Sequence, residues 1–322
     1  MIGCAHNRLA GAAMSILSQP IFHDEQAAYD FLESVVWPHG PVCPHCGGVE
    51  RIGKMGGKST RIGTYKCYQC RKPFTVKVGT VFESSHVPLR KWLQAAFLMC
   101  SSKKGISAHQ LHRTIEVSYP TAWFMEHRIR EAMRSGDLAP MGGLGGIVEV
   151  DETFIGNDRS IKPRGEKKGR GYAHKHKVLA LIDRKAGTAR TMVVDDLKAS
   201  TLTPILNANI DREARVFTDE AGQYAALGDS FAEHEFVRHK AEEWARGEVH
   251  TNTLEGFFSI FKRGMKGVYQ HCAKKHLHRY AAEFEFRYNN RVGLGVNDSD
   301  RAARVLARIT GKRLTYREPS AT

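Results

Sequence analysis

Four of the seven cysteines come as two pairs, Cys43-x2-Cys46 and Cys67-x2-Cys70, with 20 residues between the pairs. Each pair can wrap a tight turn and aim two thiolates at one tetrahedral Zn2+, at a metal–sulfur distance of about 2.3 Å. Gly47 and Gly48 relieve the backbone just behind the first pair, as a knuckle requires. Four thiolates close the coordination sphere, so this zinc is expected to be structural, and the flanking β-like residues suit a zinc ribbon. Cys4, Cys100 and Cys272 stand outside the set and read as ordinary thiols. An odd cysteine count beside a metal site fits a reducing compartment better than a disulfide framework.

A second chemistry is spread over three distant segments. Asp151 interrupts the apolar alternation of "IVEVDETF", where an acid is costly unless it is paired or bound to metal. Asp219 ends the run "RVFTDE", at the carboxyl edge of a strand, where α/β sheets tend to gather their sites. Glu255 lies on a helix beside an apolar stripe of Leu254, Phe257, Phe258, Phe261 and Met265, and Lys262 follows two turns later on the same side. Three converging carboxylates are what two Mg2+ ions need. Hard cations take oxygen ligands, and a pair about 3.5–4 Å apart can hold the attacking and leaving oxygens of an in-line phosphoryl displacement. Lys262 then faces the phosphate side. Taken singly, each acid has an ordinary reading: Glu255 as a solvated helix residue, Asp219 as a turn or cap residue, Asp151 as a strand-end acceptor. The metal reading rests on their joint order with the lysine.

Such residues need elements to carry them. A chain of 322 residues has room for about two or three domains with a sizeable core. Its net charge of +14 predicts a polyanionic partner, nucleic acid before an acidic membrane surface. No apolar run approaches the roughly 20 residues of a membrane-spanning helix. The start, "MIGCAHNRLAGAAMSILSQP", lacks the continuous apolar stretch of a signal peptide, and Met14 is an alternative start. A cytoplasmic protein with no membrane partner is the expectation.

The pattern divides the chain into an N-terminal extension (1–21), a helix plus zinc ribbon (22–85), a helical region (86–136), an α/β unit (147–292) and a C-terminal helical tail (293–322). Asp24 and Glu25 suit a helix start, and "WPHGP" ends that helix before the cysteines. "GDLAPMGGLGG" is the joint before the α/β unit. Beyond it, "GIVEVDETFIG", "HKVLALID" and "ARTMVVDDL" read as strands, with "DRKAGT" as the hairpin turn between the last two. "LTPILNANI" reads as a helix, followed by strands in "ARVFTDEAG" and "HEFVRH" and then a helical remainder.

Residues 106–133 read as helix, short turn, helix, with Ser118 as N-cap and Pro120 in the first turn of the second helix. Two readings stay open: a plain helical hairpin, or a helix-turn-helix whose second helix brings Arg128 and Arg130 to a major groove. Between Asn157 and Lys177, eight Lys or Arg stand against two acids, and Lys167, Lys168 and Arg170 suit a phosphate backbone. Lys262, Arg263 and Lys266 form another basic group at the end of the Glu255 helix.

The order Asp151, Asp219, Glu255 and Lys262 resembles that of the DDE transposases. More closely, "VEVDETFIG", "VFTDEAGQY", "HTNTLEGFFSIFKRGMKGVY" and "HLHRYAAEFEFRYNNR" resemble the zinc-ribbon insertion-sequence transposases of the ISXO-like branch. The segments "CPHCGG", "CYQCRKPFTVKVGTVFE" and "KKGISAHQLHRTIEVSYPTAW" are similar to that group's N-terminal region. The resemblance implies an α/β architecture: an RNase H-like catalytic domain preceded by a zinc ribbon and a helical, helix-turn-helix-like DNA-binding region. It also implies Mg2+-dependent cutting at element ends and transfer of a 3′-hydroxyl into target DNA. By that analogy Asp151 and Asp219 bind the metals. The third ligand comes from the "HTNTLEG" helix, as Glu255 or, in members that use Asn there, as Asn252; a carboxylate is the better Mg2+ ligand. Synapsis of two ends implies a homo-oligomer. A silent zinc-ribbon DNA-binding regulator and an RNase H-like nuclease are the competing readings.

Overall fold

The computed structural model describes residues 15–136, 139–157, 174–225, 227–238 and 241–315. Helix α1 (Glu25–Val36) begins where the side chain of Asp24 accepts a hydrogen bond from the Ala27 N–H at 2.7 Å. Trp37, at its end, lies edge-on to Tyr65 and Phe74, with ring centroids 5.5 and 5.8 Å away. Those two rings belong to a three-stranded antiparallel sheet of β1 (Ile52–Lys54), β2 (Tyr65–Cys67) and β3 (Pro73–Phe74). So small a sheet buries little, and the aromatic trio with the cysteines supplies its core.

Three helices follow: α2 (Leu89–Ser101), α3 (Ala108–Ile115) and α4 (Tyr119–Met133). Ser107 and Ser118 cap the last two through their side chains, and Pro120 stands in the first turn of α4. Glu116 turns the chain between them in the left-handed region, φ 54°. The last helix, α8 (Asp298–Leu306), returns to this group. Its Val305 and Leu306 share one core with Leu32, Trp92, Met99, Leu111 and Met125.

The large sheet runs in the order β6 (Thr188–Val194), β5 (His176–Asp183), β4 (Ile147–Ile155), β7 (Arg215–Asp219), β8 (Glu233–Val237). The first three strands are antiparallel; β7 and β8 run parallel to β4, reached through helix α5 (Ala199–Asn209). Alternation splits the side chains between two cores. Val148, Val150, Leu179, Leu181 and Val216 pack under Leu202 and Leu206 of α5. On the other face, Val178, Ala180 and Ile182 meet Leu254, Phe257, Phe258 and Phe261 of α6 (Asn252–Gly264), with Leu277 and Phe284 of α7 (Lys274–Asn289). A π-helical turn, Met265–Tyr269, joins α6 to the segment before α7. Among the described residues the expected strands and helices form, except that the C-terminal tail is α-helical only over Asp298–Leu306. Among the described residues no helix is long and apolar enough to cross a membrane.

Candidate active site and metal centre

The four cysteines converge. Cys43 Sγ lies 3.7 Å from Cys70 Sγ, and Cys46 Sγ lies 3.7 Å from Cys67 Sγ. All four sulfurs fall within 4.8 Å of one another. A tetrahedron with bonds of about 2.3 Å has edges of about 3.8 Å, so the sulfur cage has the size of a Zn2+ site. Cys43 and Cys67 are buried and the set is closed, which suits a structural ion.

The acids are placed by sheet register. Pairing between β4 and β7 matches Ile147 with Arg215, Val148 with Val216 and Glu149 with Phe217. The pairing ends there, and two residues further along each strand come Asp151 and Asp219, on the same face as Glu149 and Phe217. That face is the one α6 covers, so Glu255, in the first turn of α6, belongs to the same region as the two aspartates. Asp151 and Asp219 are half-buried; Glu255, Asn252 and Lys262 are exposed. Among the described residues, the mutual distance of 4.8 Å met by the cysteines is not met by Asp151, Asp219 and Glu255 together.

Electrostatics ties the acids to one another. Burial first, then the charges of Glu152, Asp219 and Glu255, push the Asp151 carboxyl up to about 8, although the Glu152 N–H donates to Asp151 Oδ1 at 2.7 Å. Asp219 Oδ1 accepts from the Ala221 N–H at 3.0 Å. Glu152 clamps the segment beyond Asp219: its carboxylate accepts from Gln223 Nε2 at 2.8 Å and from the Tyr224 hydroxyl at 2.5 Å. Burial also raises the Glu152 carboxyl, against the pull of that hydroxyl.

Helix α6 has no capping side chain of its own at Thr251. Glu149, fully buried on β4, does the work from the sheet. Its Oε2 accepts from the Leu254 N–H at 2.8 Å, and its Oε1 pairs with Arg184 Nε at 2.6 Å. A carboxylate at a helix N-terminus meets unsatisfied N–H groups and the positive end of the dipole. Glu149 therefore fixes the turn that carries Asn252 and Glu255 to the strand that carries Asp151. Glu149 and Glu152 both went unassigned in the sequence reading. The visible signal was a second acid, Glu149, in the same apolar alternation as Asp151.

The expected DNA-reading role of Arg128 and Arg130 is corrected. Helix α4 is packed between α2 and α7, so its cations face inward. Arg130 is 0% exposed; its Nε donates to Glu283 of α7 at 2.7 Å and its Nη2 to Glu126 at 3.2 Å. Burial opposes ionisation of Glu283, but Arg287 and Arg130 hold its carboxyl down at about 2. Arg128 is buried too, donating to the Glu83 carbonyl oxygen at 2.6 Å. Neither guanidinium can reach a phosphate in this packing. The exposed residues of the hairpin include His109, Gln110, Arg113, Thr114, Glu116 and Tyr119. Lys262, Arg263 and Lys266 are exposed as expected, whereas Lys167, Lys168 and Arg170 lie outside the described residues.

Comparison with known proteins agrees with this layout. The model of the ISXO2-like transposase domain matches residues 143–289, and that of the transposase zinc-ribbon domain matches residues 23–73. An uncharacterized protein in the transposable element ISH50 of Halobacterium salinarum is 31% identical over 278 residues, covering 83% of this chain and 91% of that protein. The chain belongs to the ISXO2-like transposase family. Asp151, Asp219, Glu255 and Lys262 of this family member lie within the transposase-domain match, and its four cysteines lie within the zinc-ribbon match. An uncharacterized transposase-like protein of Haemophilus influenzae is 28% identical over 100 residues, 31% of this chain and 80% of that protein. Among solved structures, a simian T-cell lymphotropic virus intasome in complex with PP2A regulatory subunit B56 gamma matches at 12% identity and a TM-score of 0.27. That match covers 55% of this chain and 67% of that one, too weak a likeness to argue from.

Proposed function

We propose that this transposase-family protein cleaves DNA at the ends of its element and joins the resulting 3′-hydroxyl to target DNA in a Mg2+-dependent phosphoryl transfer. The observation that supports the reading is that Asp151 and Asp219 each lie two residues beyond the β4–β7 pairing, on the face covered by the Glu255 helix, and that Asp219 and Glu255 both act on the Asp151 carboxyl. We read the α/β unit, residues 147–292, as RNase H-like; three antiparallel strands continued by two parallel ones through α5 support this.

The donor set fits a hard cation: all three ligands are carboxylates, and Asp151 is crowded by Glu152, Asp219 and Glu255. Asp151 and Asp219 would hold Mg2+, with Glu255 as third ligand and Asn252, one turn nearer the helix start, as the alternative. When bound, two such ions supply Lewis-acid stabilisation to the attacking and leaving oxygens. The chain's own groups do the positioning. Glu149 holds the start of α6 against β4, Glu152 holds the segment after Asp219, and Lys262 meets the phosphate charge. The zinc ribbon and the exposed face of α3 and α4 bind the element ends, and pairing two ends calls for a homo-oligomer.

The test is cleavage and joining of DNA carrying the ends that flank the gene, in Mg2+, in Mn2+ and in chelator. Metal-dependent strand transfer supports the reading. Tight, zinc-dependent DNA binding without cleavage in either metal would overturn it in favour of a silent regulator.

A further inference from the structure

On the side of α6 away from Glu255 and Lys262, a cavity of about 390 Å3 lies where the end of α2 meets α6 and α7. Phe257 and Ile260 line it from α6, Phe284 and Tyr288 from α7, and Val292 from the 3-10 turn Val292–Leu294 that follows. Val292 is 71% exposed, so it marks the mouth. Into this apolar lining come three guanidiniums, Arg287, Arg291 and Arg301, with Asp298 the only acid among the described lining residues.

Arg301 and Arg291 are already engaged. Arg301 donates to Asp298 Oδ1 at 2.6 Å and to the carbonyl oxygens of Cys100 and Asn290, each at 2.7 Å. Arg291 donates to the Gly187 and Tyr288 carbonyl oxygens and stacks on the Tyr288 ring, 4.1 Å from its centroid. Arg287 differs. It is 7% exposed, and its Nη1 donates to Glu283 Oε1 and, at 3.3 Å, to the Met99 carbonyl oxygen. Glu283 is shared, since it also accepts from Arg130 Nε at 2.7 Å. The Arg287 Nε and Nη2 are buried and have no acceptor among the described residues. A buried charged donor without an acceptor is costly. These two nitrogens form one edge of the guanidinium, a planar fork spaced for the two oxygens of a carboxylate.

We propose that this cavity binds a small amphipathic acid, its carboxylate on the Nε–Nη2 edge of Arg287 and its apolar body among Phe257, Ile260 and Tyr288. The volume is that of a small-ligand pocket, about 300–1,000 Å3, and such pockets pair an apolar lining with a few placed polar groups. An apolar lining disfavours a dianion such as phosphate, and a single planar fork suits a single carboxylate. Neither Asp151 nor Asp219 lines the cavity, so its occupancy stands whether or not the chain joins DNA. A bound acid would brace the end of α2 against the helix that carries Glu255.

The test is calorimetric titration of the zinc-loaded full chain with 4-phenylbutyrate and with its neutral amide, 4-phenylbutyramide. Salt at about 0.3 M screens attachment to the basic surface. The acid should bind one per chain with a Kd of about 1 mM or tighter, a range open to a ligand of about a dozen non-hydrogen atoms. The amide should bind about 10-fold or more weakly, the size of a lost hydrogen bond to a charged group. Arg287→Lys keeps the charge and removes the fork, and should weaken the acid about 10-fold while leaving the amide unchanged. Val292→Trp, at the exposed mouth, should weaken both ligands with the melting temperature unmoved. If Arg287→Lys fails to fold, the acid-to-amide ratio and Val292→Trp still decide. Equal binding of acid and amide, no binding of the acid at 10-fold the expected Kd, or acid binding untouched by Val292→Trp would each overturn the site.

Discussion

Asp151 offers the sharpest energetic test. Its carboxyl has an ordinary value of 3.8 and is pushed up to about 8 in the fold by burial and by Glu152, Asp219 and Glu255. The folded chain therefore holds this proton more tightly than the unfolded chain does, and metal-free stability must fall as pH rises from about 4 to about 8. Each pH unit in that window is worth about 1.4 kcal/mol, so ionisation works against folding by up to about 4 kcal/mol at neutral pH. Asp151→Asn removes the charge and keeps an oxygen to accept the Glu152 N–H. In metal-free protein the variant should be the more stable one by about 1–4 kcal/mol at pH 8, with the gap closing toward pH 4. At about 2–4 °C per kcal/mol, a thermal melt in chelator resolves it. Mg2+ should then raise the wild type and not the variant, because only the wild type keeps the full ligand set. A variant equal to or less stable than wild type at pH 8, or a gap independent of pH, would refute the idea that these acids are held in mutual repulsion for a cation.

Glu149→Ala strands Arg184 and leaves the start of α6 uncapped, so it should cost about 3–5 kcal/mol in urea unfolding. Glu149→Gln, which can still accept from the Leu254 N–H, should cost less. Cys67→Ser should lower the zinc content from one ion per chain toward none in a colorimetric chelator assay, and should leave the ribbon open to proteolysis. Arg130→Met should destabilise the fold by about 3 kcal/mol or more, because Glu283 and Glu126 lose their shared buried cation. Arg113→Ala should leave stability within about 0.5 kcal/mol. By fluorescence anisotropy it should lower the salt slope of DNA binding by roughly 0.9, one phosphate contact.

What could be read in the chain was local. The cysteine spacing, the strand alternation around Asp151 and the apolar stripe of α6 each follow from a short window, and each is found as expected. Arg128 and Arg130 were misread because the partner that buries Arg130 most directly, Glu283, is 153 residues away. The Glu126–Arg130 spacing of one helical turn was a local hint of an intrahelical pair, but it says nothing of burial. The return of α8 to the helical core was equally invisible, since its apolar face has no local sign of which element it meets. Glu149 shows the same limit from the other side. Its place in the strand was legible, while its role depends on a helix that begins about a hundred residues later.

In the proposed chemistry Asp151, Asp219 and Glu255 act as one metal-binding set. Strand transfer by wild type beside Asp219→Ala, Glu255→Ala and Asn252→Ala tests it most directly, with end-DNA binding measured on the same preparations. Joining by wild type and by Asn252→Ala is expected, with loss of joining but retained DNA binding in the other two. Joining that survives Glu255→Ala and is lost only with Asn252→Ala would contradict it.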